Sequence, residues 1–147
     1  MYNTTMKRPQ IVIDTNVLVS ALRSRNGASF KILSLIDSKK FDFYISITLI
    51  FEYEEALKND LSASKLTKTD IDDVVNYMCK MGNPQEISYL WRPQLSDPED
   101  DFILELAAQS QCDFIVTHNL KDFVGTEKFG VKAISPGQFL RKIGENK

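Results

Sequence analysis

QIVIDTNVLVSALRSRNG, Gln10 to Gly27, decides how the chain is read. Gln10 to Ile13 is a short β-branched run with no polar face, as expected of a strand covered on both sides. It ends on Asp14. "TNVLVSAL" behind it reads as a helix, and Asn26-Gly27 breaks that pattern. A carboxylate where a buried strand surfaces is costly unless it is paired, hydrogen-bonded or holding a cation. An aspartate there also caps helices, so Asp14 gains meaning only from what joins it.

Outward from this stretch, strands and helices alternate. "SFKILSLIDS" reads as a second helix and "FDFYIS", Phe41 to Ser46, as the next strand. "ITLIFEYEEALKN" is an amphipathic helix with apolar positions Leu49, Ile50, Tyr53 and Leu57. Asp70 is a candidate cap for "IDDVVNYMCKM", which stops at Gly82. A short strand, "EISYL", is expected at Glu86 to Leu90. "SDPEDDFILELAAQS" carries helix-start signals, with Asp97 as cap, Pro98 at the first helical position and acids in the first turn. "DFIVT" is a strand ending at Thr117, "VKAIS" another ending at Ser135, and Ser135-Pro136 opens a closing helix, "PGQFLRKI". This alternation implies an α/β fold: a three-layer α/β/α sandwich around a mainly parallel, roughly five-stranded sheet. We expect a single domain over 10–143, a loose lead-in over 1–9 and a short tail over 144–147.

Composition narrows the function classes. The 147 residues are 43% hydrophobic and carry a net charge of −2, so a polyanionic partner must be met by a local patch. No apolar run approaches the roughly 20 residues that cross a bilayer, and "MYNTTMKRPQ" lacks the apolar stretch of a signal peptide. A cytoplasmic protein is expected. Cys79 and Cys112 stand apart in apolar helical contexts and read as reduced core thiols.

In open parallel sheets, ligands gather beyond the carboxyl ends of the strands. Asp14 stands at the end of the first strand and Glu52 in the first half of the helix after the second. Asp100 and Asp101 open the helix after the third; Asn119 and Asp122, in "THNLKDF", follow the fourth. All share one rim. Acids converging there would repel, and a hard divalent cation, Mg2+ or Mn2+, resolves the repulsion because it prefers carboxylate and water oxygens. Such an ion suits hydrolysis at phosphorus, because it lowers the pKa of water and neutralises developing charge. No histidine base is required, so His118 reads as a loop side chain beside the site. Glu54 and Glu55 read as a solvated face.

These residues resemble the PIN-domain nucleases, and within them the toxin-like group that includes the VapC toxins. The resemblance runs from Ile11 to Leu140. "IVIDTNVLVSAL" is similar to the family's opening motif, with Asp14 as its first metal acid. "ISITLIFEYEEAL" is similar to the second, which carries the acid onto Glu52. "DPEDDFILELAAQSQCDFIVTHNLKDF" resembles the third and fourth together. The third acid falls on Asp101, with Asp100 a close competitor; the fourth ligand is shared between Asn119 and Asp122. The resemblance further implies that Thr117, and with it Asn16, holds Asp14 by hydrogen bonding. It also implies metal-dependent cleavage of RNA, a small antitoxin partner and a homodimer.

For substrate grip, Arg23, Arg25 and Lys121 are the candidate phosphate contacts. Trp91-Arg92 could stack on a base or cover the core. The leading function is a Mg2+- or Mn2+-dependent endoribonuclease, the toxin of a toxin-antitoxin pair. One alternative is a PIN-like module that binds RNA or protein without cutting, since Asn119 weakens the ligand set. A DNA flap-type nuclease is a further alternative.

Overall fold

The computed structural model describes residues 7–60, 65–87 and 98–145. The order is β1 (Gln10–Ile13), α1 (Thr15–Arg23), α2 (Ala28–Ser34), β2 (Asp42–Ile45), α3 (Ile47–Asn59), α4 (Lys68–Met81), β3 (Asn83–Pro84), α5 (Pro98–Gln109), β4 (Phe114–Val116), β5 (Lys132–Ile134) and α6 (Pro136–Lys142). Single 3-10 turns lie at Ile36–Ser38, Leu120–Phe123 and Thr126–Phe129. The five strands form one sheet in the order β3-β2-β1-β4-β5, and every pairing is parallel. It is an α/β/α sandwich, as the alternation implied.

β1 sits in the middle, and Ile11, Val12 and Ile13 are wholly enclosed. That is why the strand has no polar face: a central parallel strand meets side chains above and below. Strand order runs outward from β1 through β2 to β3, then jumps back to β4 on its other side. The reversal leaves a crevice between the carboxyl ends of β1 and β4, where open α/β sheets bind ligands. The register Ile13↔Val116 puts Asp14 and Thr117 at that mouth together.

Local chemistry fixes the boundaries. Ser46 caps α3, its Oγ accepting from Leu49 N at 3.1 Å, and Ser135 caps α6 in a reciprocal pair with Gln138. At α4 the sequence expectation is corrected. The cap is Thr67, whose Oγ1 accepts from Asp70 N at 3.1 Å, while Asp70 Oδ2 accepts from Thr67 N at 2.9 Å. Asp70 is therefore the third residue of the helix. The second helix also stops sooner than its pattern suggested, and the chain turns at Lys39 with φ 66°.

The third strand needs a larger correction. It is Asn83–Pro84, paired Tyr44↔Asn83 and Ile45↔Pro84, not Glu86–Leu90. Glu86 and Ile87 are irregular, and 88–90 lie outside the described residues, as do Trp91, Arg92 and Asp97. An edge position tolerates the proline, which has no N–H to give to a ladder. The cysteines differ from expectation too. Cys79 is exposed on α4, and Cys112 is buried in the turn after α5, where burial and then the Asp113 charge push its thiol up to about 12.

Gly82 closes α4 with ordinary backbone angles, so space rather than conformation demands it. A Cβ there would lie 2.9 Å from Ile45 Cγ2, Met78 O and Phe43 Cε2. Gly82→Ala should therefore cost about 1–3 kcal/mol through overpacking, read as a lower denaturation midpoint with an unchanged m-value.

Candidate active site

Asp14 does two things. As N-cap of α1, its Oδ1 accepts from Thr15 N at 2.8 Å. Its Oδ2 accepts from Thr117 Oγ1 at 2.7 Å and from Asn16 Nδ2 at 3.1 Å. The carboxyl is only 7% exposed. Burial pushes its pKa above the usual carboxylate value, Thr117, Thr15 and Asn16 pull it back by donating, and the negative charge of Asp122 adds to the rise. Thr117, enclosed at the end of β4, also accepts from Asn119 N at 3.0 Å and Asn16 Nδ2 at 3.4 Å. Asn16 Oδ1 in turn accepts from His118 N at 3.2 Å. The two strand ends are thus laced into one polar knot with Asp14 at its centre.

Beneath the knot, Tyr53 Oη donates to Ile13 O at 2.6 Å. The phenol is wholly enclosed. Burial lifts its pKa far above the usual value, and the charges of Asp14 and Glu52 lift it further. Both acids therefore lie close enough to Tyr53 to act on it.

Above lies an open cleft of about 840 Å³ between α1, α3, α5 and the segment after β4. Its walls include Asp14, Asn16, Glu52, Asp100, Asn119 and Asp122. Of the two adjacent acids on α5, Asp100 faces the cleft with Ile103 three residues on, whereas Asp101 is buried and does not line it. His118 also lines the cleft, its Nε2 3.0 Å from Ser29 Oγ. Arg23 lines it; Arg25 and Lys121 are exposed and do not.

Two acids of the wall escaped the sequence reading. Glu55 was grouped with Glu54 as solvated surface, yet it lines the cleft three residues after Glu52, while Glu54 pairs with Lys58 at 3.1 Å. The signal was present, because Glu52, Glu55, Ala56 and Asn59 share one helical stripe. Asp60 gave no signal: it reaches the wall through Arg23, a partner 37 residues away.

Among the described residues, no three His, Cys, Asp or Glu side chains are gathered tightly enough to form a ready coordination set. The acids of the wall nonetheless offer oxygen donors, the chemistry that Mg2+ or Mn2+ prefers over softer metals.

Residues 10–121 match the sequence profile of the PIN domain. Among curated proteins none matches the chain in sequence. Three solved structures resemble it in fold. VapBC2 from Rickettsia felis, bound to a DNA fragment from its promoter, has a TM-score of 0.58 at 14% identity, over 86% of this chain and 98% of that one. FitAB bound to an IR36 DNA fragment gives 0.57 at 17% identity, over 86% and 94%. A PilT N-terminus domain protein from the archaeon Sulfolobus solfataricus gives 0.52 at 15% identity, over 94% and 96%. With its profile match spanning the β1 aspartate and the β4 knot, the chain belongs to the PIN domain family, a family of nucleases.

Proposed function

We propose that the protein is a divalent-metal-dependent endoribonuclease, the toxin component of a toxin-antitoxin pair. One observation carries this reading: Asp14, Glu52, Asp100 and Asp122, from four separate segments, line a single cleft at the sheet's switch point. Asn119 completes the oxygen donors. For the third acid we prefer Asp100 to the enclosed Asp101, because only Asp100 reaches the cleft.

When bound, Mg2+ or Mn2+ supplies water activation and neutralises charge gained at a phosphodiester. The chain's own residues do the rest. Asp14 holds a fixed orientation because three donors grip it. Glu52 and Asp100 face it from two helices. Asp122, whose charge already acts on Asp14, adds the density that makes the empty site unfavourable and the loaded one favourable. Asn119 donates its backbone N–H to Thr117 and so ties the β4 loop to the knot.

A second reading, a module that binds nucleic acid without cutting, is favoured by the loose spacing of the acids. RNA and DNA oligonucleotides incubated with Mn2+ or EDTA, followed by end-group analysis, separate the two. Metal-dependent products with 5′-phosphate and 3′-hydroxyl ends are expected from RNA. Binding without cleavage would leave the second reading standing. A protein partner, antitoxin or second copy, would be met at Ile47 and Phe51, 77% and 64% exposed one turn apart on α3. Among the described residues no helix is long and apolar enough to cross a membrane.

Thr117 gives a sharper test. Thr117→Val keeps the volume but removes the hydroxyl that donates to Asp14 Oδ2 and accepts from Asn119 N. Groups that orient a metal ligand are worth about 10–100-fold in affinity or activity. The Mn2+ concentration for half-maximal cleavage should rise by that factor, and Thr117→Ser should largely restore it.

A further inference from the structure

The cleft walls are strongly acidic: Asp14, Glu52, Glu55, Asp60, Asp100 and Asp122 all contribute. A polyanionic strand entering it meets repulsion unless a cation lies along its path. Among the described residues lining the cleft, Arg23 is the one permanent positive charge. Asp60 fixes its place. The Asp60 carboxylate accepts from Arg23 Nε at 3.2 and 3.1 Å and also from Nη2. Nothing among the described residues accepts from Nη1, and the side chain is 56% exposed. The ion pair therefore joins the last turn of α1 to the end of α3 with guanidinium donors to spare. Asp60's carboxyl is held below its usual pKa by the Arg23 hydrogen bonds, so the partner stays charged at neutral pH.

Position decides which phosphate such a cation would meet. Asp14 caps α1, and Arg23 is its last residue. Nine residues at 1.5 Å of rise place them about 14 Å apart along the helix axis. Anchored to Asp60 at the opposite end of α1, the Arg23 guanidinium is held away from the phosphate that reacts at Asp14. It can serve another phosphate of the same strand. Asn59 and Ser20 line the cleft beside it as neutral hydrogen-bonding groups.

Resting on the nuclease reading above, we propose that Arg23 is a remote phosphate clamp, held in register by Asp60, that selects substrate strands long enough to reach from the acidic rim to the end of α1. Arg23 is the binding residue and Asp60 a positioning residue. Guanidinium geometry matters because its planar fork pairs with two oxyanions at once, which an ammonium cannot imitate.

The experiment measures kcat/KM with Mn2+ on an RNA ladder running from dinucleotide to dodecanucleotide. The wild type should rise steeply once the strand reaches Arg23, then level off. Arg23→Ala should flatten that step, raise KM for the longest RNA about tenfold and reduce the salt slope of its binding by about one. Arg23→Lys should recover the salt slope but only part of the step, and Asp60→Asn should raise KM for long RNA with kcat kept. Lys80→Ala, which removes a charge from the exposed side of α4, should leave the ladder unchanged. If the wild type cleaves and Arg23→Ala keeps the step, or if Lys80→Ala flattens it equally, the clamp is overturned while the nuclease reading stands. If the wild type cleaves no member of the ladder, the nuclease reading falls, and the clamp with it.

Discussion

Asp14→Asn should yield a folded protein that no longer gains stability from Mn2+ and has lost cleavage by more than about 10³-fold, the several kcal/mol that metal charge stabilisation supplies. The thermal measurement separates this from simple damage. A ligand at one hundred times its Kd stabilises the native state by about 2.7 kcal/mol, roughly 5–10 °C for a domain of this size. The wild type should show that gain on adding Mn2+, and the variant none. In EDTA the gap should close, because the variant sheds a buried charge but offers one acceptor oxygen where Asp14 offers two to its three donors. Asp14's folded pKa is raised, with burial the main cause. Its neutral form is thus the one the fold prefers, and stability linked to it is present below the unfolded value of 3.8 and lost as pH rises through the raised pKa. At neutral pH the ionised carboxylate is therefore a cost that asparagine, itself a good helix cap, does not carry. Metal-free stability of the wild type should fall across that window, and Asp14→Asn should flatten the fall. A variant that keeps the Mn2+ gain would remove Asp14 from the site.

Much of this was legible in the chain, and the misses have physical reasons. The amphipathic pattern of α3 marks Ile47–Asn59 without help from its cap, and Ser46, which the pattern assigns to the strand before it, is that cap. β3 could not be read, since two residues, Asn83 and Pro84, carry no alternation and owe their strand geometry to β2. At α4 two good caps stood three residues apart, and the reciprocal pairing of Thr67 with Asp70 decides between them only once both are in place.

The site shows the same division. Strand ends locate the rim, so the acids after β1, β2 and β4 could be found from alternation alone. The choice between Asp100 and Asp101 depends on the rotation of α5, because neighbouring helical residues point about 100° apart. Packing sets that rotation: Asp100 and Ile103 line the cleft, while Asp101 and Glu105, four apart, turn inward. Two buried acids on one helix face have no hydrophobic signature to announce them. Arg23 was recognised as a cation near the first motif, but its anchor was not, because nothing in a linear pattern couples position 23 to position 60.

Phe139→Ala should be the most destabilising single change outside the cleft. Phe139 is wholly enclosed on α6, its ring edge-on to Phe41 at 5.3 Å and to Phe114 at 6.2 Å. Truncating a buried phenylalanine costs about 3–5 kcal/mol in lost transfer energy and cavity, roughly 6–20 °C in melting temperature here. Yet Phe41 precedes β2 and Phe114 begins β4, so the cavity opens at the amino ends of the strands, whereas the cleft lies at their carboxyl ends. Well below its melting point the variant should keep the full Mn2+-induced gain and a wild-type KM. In the double variant with Asp14→Asn the two stability changes, whatever their signs, should add to within about 0.3–0.5 kcal/mol, as those of distant sites do. Should the cavity abolish the Mn2+ gain in protein that is still folded, the polar knot at Asp14 would depend on packing at the far end of the sheet, and the strands could not be treated as a rigid platform for the site.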